Sequence, residues 1–165
     1  PAALFPPGYD YASDWVGVLE GPLTTDFDYL RNVPLASTSL LAGKYGGGTP
    51  TGAAIRDGAH YLIGAARPGT SKVMVLMSDG YANKPTNDPS GYALQMANYA
   101  ALNRVTIYTI SLGDSADVSL MTQIAGAAGG KHFDATGSGG GDLTTLLSDA
   151  FRNVASEISR TTIVN

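Results

Sequence analysis

"KVMVLMSDG", Lys72 to Gly80, is the stretch that decides how the chain is read. Val73–Met77 is an unbroken apolar run, the pattern of a strand buried on both faces. Ser78-Asp79-Gly80 follows at once, so a carboxylate stands where that strand ends. In open α/β sheets, ligand-handling groups gather at the carboxyl ends of the strands. As a bare dipeptide, Asp-Gly also makes an ordinary turn.

Outward from this stretch the elements alternate. "RVTIYTISLG", Arg104 to Gly113, predicts a second buried strand, and "KHFDA" a short last one. Between the first two, Gly91–Asn103 has helical spacing, with Leu94, Ala97, Ala101 and Leu102 expected toward the sheet. Thr51–Ala66 predicts a helix whose apolar face is Ala54, Ile55, Ala59, Leu62 and Ile63, ended by Pro68-Gly69. Asp117–Gly130 reads as a short helix, and the stretch from Gly141 to Ile158 as a long one capped by Asp142. Nearer the start, "WVGVL", Trp15 to Leu19, is a strand candidate, and Thr25 is placed to cap a short helix over Asp26–Asn32. Alternating strands and helices predict an α/β fold, a mostly parallel central sheet with helices on both faces.

Composition narrows the function. The 165 residues suit one domain, and 44% hydrophobic against 15% charged residues allows a sizeable core. A net charge of -4 with no basic run argues against nucleic acid and against an anionic membrane surface. No cysteine is present, which removes disulfides, thiolate metal sites and thiol nucleophiles. No apolar run reaches the roughly 18 residues of a membrane span. Because the sequence opens on Pro1 rather than Met, a processed or truncated segment of something longer is expected.

"GGGTPTGAAI", Gly46 to Ile55, could cradle a phosphate, hold a metal or start a helix. It lacks the phosphate-loop order, since Lys44 precedes the glycines instead of following them. Gly46–Gly48 could simply turn the chain, with Thr49 as helix N-cap. Thr49 and Asp79 are also placed to face one crevice, and a hydroxyl, a carboxylate and water are the hard oxygen ligands Mg²⁺ prefers. His60 and His132 are the only histidines, and no Gly-x-Ser-x-Gly elbow accompanies them, so structural or surface roles are expected for both. Asp26 and Asp28 fit a helix start better than an acid-base pair. Thr136–Asp142 reads as a flexible connection, with an anion nest as the alternative.

Taken in order, "GGGTPTGAAI", "KVMVLMSDGYAN", "NRVTIYTISLG" and "LMTQIAGAAGGKHFDA" resemble successive blocks of a von Willebrand factor A domain. The resemblance covers nearly everything from Trp15 onward and implies a Rossmann-like fold. It implies a domain over 15–160 between an irregular lead-in, 1–14, and a tail, 161–165. It further implies a non-catalytic protein-binding or adhesion module with a metal-ion-dependent adhesion site for Mg²⁺ or Mn²⁺. In that family the ligands come from an Asp-x-Ser-x-Ser segment after the first strand, a threonine in a glycine-rich loop, and the aspartate of a (Ser/Thr)-Asp-Gly turn. Thr49 matches the second and Asp79 the third. Tyr81, Lys84 and Asn87 would line the partner-binding rim, and a partner's Asp or Glu would complete the coordination. "DGYAN" and the long last helix are similar to bacterial versions associated with tight-adherence pilus assembly. That likeness implies adhesion, pilus assembly or cell-envelope scaffolding, extracellular or periplasmic, within a larger complex.

The sequence departs from the family at its first motif. No Asp-x-Ser-x-Ser occurs; Asp10, Ser13 and Asp14 have the wrong spacing. The strand that should carry the motif is missing as well, and Trp15–Leu19 corresponds by context to the family's second strand. Losing a central strand forfeits roughly 8–15 kcal/mol of apolar burial, as much as the whole stability of a domain, about 5–15 kcal/mol. The fold is therefore expected to be incomplete at its first strand. Three explanations follow: a longer chain that carries the strand, a substitute strand from Ala2–Phe5, or donation from a neighbour, for which the β-branched tail "RTTIVN" is a candidate. With the motif absent, Thr49 and Asp79 offer two oxygens and one negative charge, and weak or no metal binding is expected. Two other function classes stay open: a structural subunit with a decayed metal site, and a hydrolase with Asp79 on the metal and His60 or His132 as base.

Overall fold

The computed structural model describes residues 17, 19, 21–32, 48–85, 87–137 and 140–163. The lead-in over 1–14, the candidate strand at Ala2–Phe5, the near-motif at Asp10, Ser13 and Asp14, and Lys44, Gly46 and Gly47 lie outside these residues. So does most of Trp15–Leu19; Gly17 and Leu19 are exposed and stand in no strand.

Among the described residues eight elements follow in chain order: α1 (Phe27–Asn32), α2 (Thr51–Ala65), β1 (Lys72–Ser78), α3 (Pro89–Leu102), β2 (Val105–Leu112), α4 (Val118–Ala127), β3 (His132–Ala135) and α5 (Leu143–Ile163). The strands form one parallel sheet in the order β1-β2-β3. Register sets Ser78 opposite Ser111 and Ser111 opposite Asp134. The chain thus has the α/β architecture its alternation predicts.

Helices cover both faces of the sheet. On one, Val105 and Ile107 of β2 pack with Ile55 and Ala59 of α2, Ala93, Ala97 and Ala100 of α3, and Leu120, Met121 and Ile124 of α4. On the other, Tyr108, Ile110 and Ala135 meet Ala150 and Val154 of α5. The many alanines let three helices lie close on the first face. Gly52 of α2 is needed there, because a Cβ would overlap the Tyr92 ring of α3. Arg56 is buried in this seam, with its Nε donating to Asp57 Oδ1 (2.7 Å) and Nη1 to the Tyr92 hydroxyl (3.1 Å). A buried charge needs such partners.

Several local expectations are corrected. β1 is not buried on both faces: Val75 and Met77 are 40% and 45% exposed. Within the described residues β1 pairs only with β2, so it is an edge strand, whereas β2 is central and almost wholly buried. In α2, Ala54 is exposed and Ile63 is 38% exposed, while Ala53 and Arg56 take the inward positions. Leu102, expected against the sheet, is 84% exposed at the last residue of α3, and the inward face is Ala93, Ala97 and Ala100. Asp26, not Thr25, caps α1, its Oδ1 accepting from the Tyr29 amide at 2.8 Å. Asp28 pairs with Arg31 on the exposed side of that helix. Asp142 does cap α5, accepting from the Thr145 amide at 3.1 Å, and α5 runs on through Ile163.

Candidate functional site

β1 and α2 bring two loops together at the carboxyl edge of the sheet. Thr49 enters α2 through Pro50, whose carbonyl accepts from the Ala54 amide (3.0 Å). No side chain caps the helix at that position, so the N-cap role considered for Thr49 is not adopted. Asn83 fixes Thr49 instead. The Thr49 amide donates to Asn83 Oδ1 (2.8 Å), and the Asn83 amide donates to the Thr49 carbonyl (3.2 Å).

The turn after β1 is shaped by Ser78. Its hydroxyl donates to the Gly80 carbonyl (3.1 Å), and the Gly80 amide points back to it (3.4 Å). Asp79, between them, is exposed. A Cβ on Gly80 would stand 3.3 Å from Thr49 Oγ1, so the threonine hydroxyl lies directly against the Asp79-Gly80 turn. The structure therefore brings Thr49 and Asp79 to one rim. Tyr81 (65% exposed) and Lys84 lie on the same loop, and Asn87, also exposed, lies further on, just before the α3 cap Asp88. Asn83, which the sequence did not single out, makes the contact that joins the loops. Its partner is 34 positions away, so no local pattern marks it.

A second polar row crosses the same edge. Ser78, Ser111 and Asp134 stand side by side across β1, β2 and β3. Ser111 is fully buried, and its Oγ has no hydrogen-bond partner among the described residues. Asp134 is held below the usual carboxylate range by hydrogen bonds from the Thr136 hydroxyl and the Thr136 amide, the latter at 2.8 Å. The spacing of the strands gives no local sign of this row, which appears only once their register is known.

The histidines are elsewhere. His60 stacks on Tyr99 between α2 and α3, with ring centroids 5.2 Å apart. It is nine residues along the helix from Thr51, about 14 Å at 1.5 Å per residue. Burial lowers its pKa. His132 opens β3, two strands or about 10 Å across the sheet from β1. Thr109 Oγ1 donates to the Met121 carbonyl (2.9 Å), so it accepts from His132 Nδ1 (3.0 Å). That assigns the proton to Nδ1 and leaves Nε2 as a buried acceptor without a partner among the described residues. Burial also lowers the pKa of His132, against the opposing pull of Asp134. Neither histidine is brought to Asp79, so among the described residues no histidine stands as a base there.

The donors at the rim do not by themselves fit a divalent ion. Among the described residues no group of three or more His, Asp or Glu side chains could hold a metal. Thr49 and Asp79 supply one hydroxyl and one carboxylate, short of the six oxygens around Mg²⁺. No helix of the described residues is long and apolar enough to cross a membrane.

The family model described as von Willebrand factor type A domain matches residues 28–148. That span runs from α1 into α5 and contains Thr49, Asp79 and all three strands. A comparison with curated proteins finds no match.

Proposed function

The chain belongs to the von Willebrand factor type A domain family, and from that premise we propose that it is a non-catalytic protein-binding module whose partner docks at the crevice between Thr49 and Asp79. Domains of this family are typically protein-binding modules and usually non-catalytic. One observation carries the assignment of the surface: the Thr49 hydroxyl rests against the Asp79-Gly80 turn, and Asn83 bonds to Thr49 from both directions. A side chain, a main-chain segment and an exposed carboxylate thus converge at the carboxyl edge, where parallel sheets place their ligands. Tyr81 and Lys84 extend the rim with an aromatic face and a cation.

Mg²⁺ or Mn²⁺ belongs to this reading on one condition, that an Asp-x-Ser-x-Ser segment adds oxygens to those of Thr49 and Asp79. A partner's Asp or Glu would then complete the ion's coordination. Adhesion, pilus assembly or cell-envelope scaffolding, outside the cell or in the periplasm, is the setting we favour. It rests on the likeness of Asp79–Asn83 and the long α5 to bacterial members of the family.

The test is calorimetric titration in Mg²⁺ with a synthetic peptide bearing a single Asp, with and without a second peptide carrying Asp-x-Ser-x-Ser, on the wild type and Asp79→Ala. Binding without turnover that is lost in Asp79→Ala supports the reading. Binding unchanged by the substitution would instead indicate a structural subunit, and peptide hydrolysis that disappears with Asp79 would indicate an enzyme.

A further inference from the structure

The chain holds two Asp-Gly pairs, Asp57-Gly58 and Asp79-Gly80, and no Asn-Gly. In such a pair the glycine has no Cβ to shield its amide nitrogen, which can then reach the carboxyl carbon of the preceding side chain. The fold gives the two pairs opposite surroundings. Asp57 lies inside α2, and its side chain is 11% exposed. Both of its carboxylate oxygens are engaged, Oδ1 accepting from Arg56 Nε at 2.7 Å and Oδ2 from the Gly17 amide. Helical geometry holds ψ at about −42° and ties the Gly58 amide into the hydrogen-bond ladder, which keeps that nitrogen from turning onto Asp57 Cγ.

None of these restraints acts on Asp79. It is exposed in the bend after β1, outside any helix or strand. Its carboxylate takes part in no ion pair among the described residues. The Gly80 amide makes one long hydrogen bond, to Ser78 Oγ at 3.4 Å. Asp79 thus combines a reachable carboxyl, a loosely held neighbouring amide and a backbone not fixed by secondary structure.

We propose that Asp79-Gly80 is a site of spontaneous backbone isomerisation, at which the rim ages while the Asp57 pair of the same chain stays intact. The Gly80 nitrogen attacks Asp79 Cγ. A C–N bond forms, and the hydroxyl of the carboxyl group leaves as water with the amide proton, giving a five-membered succinimide. Water then adds to one of its two carbonyls. Breaking the bond from nitrogen to Cγ restores aspartate; breaking the bond to the main-chain carbonyl carbon yields isoaspartate. One water is lost and one regained, so no oxidant or other reactant is needed. The new main chain runs through Cβ and Cγ and is one carbon longer. That carbon enters where Gly80 stands against Thr49 Oγ1 and Asn83 holds the Thr49 main chain, so the two loops lose their fit. The chemistry needs no partner at the rim and stands whether or not one docks there.

The test is prolonged incubation of the intact chain at 37 °C and mildly acidic pH, followed by peptide mapping with fragmentation that tells isoaspartate from aspartate. Isoaspartate at position 79 should exceed that at position 57 at least tenfold. In urea strong enough to unfold the chain, the two pairs should react at comparable rates, since only the fold separates them. Gly80→Ala should slow the reaction at position 79 at least fivefold in the folded chain, because a methyl shields the attacking nitrogen. Equal accumulation at the two positions in the folded chain would overturn the proposal. So would an unreacted Asp79 in a folded chain whose urea-unfolded sample isomerises, or an excess at position 79 that persists in urea.

Discussion

Asn83 holds the main chain of Thr49 on both sides of its Cα, its side-chain oxygen accepting from the Thr49 amide and its own amide donating to the Thr49 carbonyl. The two loops are joined across 34 positions of sequence, one preceding α2 and the other following β1. What holds the rim together is thus a carboxamide that belongs to neither candidate ligand.

Asn83→Ala removes the 2.8 Å bond and leaves the Thr49 amide to water. The expected loss is about 1 kcal/mol in denaturant unfolding. Asn83→Asp restores an acceptor and should recover most of it at neutral pH. The Thr49 and Gly80 amides should shift in the NMR spectrum of the alanine variant, while those of β3 stay in place.

Two glycines should separate site from scaffold. In Gly80→Ala the new methyl crowds Thr49 Oγ1, a side-chain atom that can give by a few tenths of an ångström. Stability should change by less than about 1 kcal/mol, while peptide binding at the rim falls. In Gly130→Ala the methyl meets the Ile107 carbonyl, which is part of the central strand and cannot move aside. A loss of roughly 2–4 kcal/mol is expected in the same unfolding assay.

The exposure of β1 predicts an asymmetry between neighbouring strands. Ile110→Ala empties a fully buried position opposite α5 and should cost about 2–5 kcal/mol. Val75→Thr, at a position 40% exposed, should stay within about 0.5 kcal/mol. Thermal unfolding of both variants checks the pair.

Acid should weaken the fold in two separate windows. The pKa of His132 lies below its ordinary 6.5 in the folded chain, because burial penalises the cation. The unfolded chain therefore takes up the proton first, and stability falls as pH drops below about 6.5, levelling off once the folded pKa is passed. His60 is shifted in the same direction by burial and adds to the same window. Asp134 acts lower: its carboxyl is held below 3.8 by Thr136, so its contribution is present above that value and is lost as pH falls through the folded pKa. Unfolding curves from pH 8 to 3 should show both steps, and the upper one should shrink in His132→Gln.

Much of the architecture was legible because buried strands write their environment into consecutive residues. Val105–Leu112 is apolar or small throughout, and it is the central strand. Val73–Met77 looks just as apolar, yet Val75 and Met77 reach solvent. A strand's neighbours are set by topology, and its own residues do not state them. Helix phase failed at an end for a similar reason: Leu102 has the composition of a core residue but falls at the terminus of α3, where the core is already filled by alanines. Thr49 and Asp79 could be named from the sequence because glycine-rich and Asp-Gly turns are local signals. Asn83 and the Ser78–Ser111–Asp134 row could not, since their relationships exist only after loops and strands have met.

The most direct test of the central claim is amide chemical-shift mapping of the chain with the single-Asp peptide, with Mg²⁺ and a second peptide carrying Asp-x-Ser-x-Ser included. The predicted result is a contiguous set of perturbations at Thr49, Asp79, Gly80, Tyr81 and Asn83 that disappears in Asp79→Ala. Perturbations confined to other surfaces, or a set at the rim that persists without the Asp79 carboxylate, would contradict it.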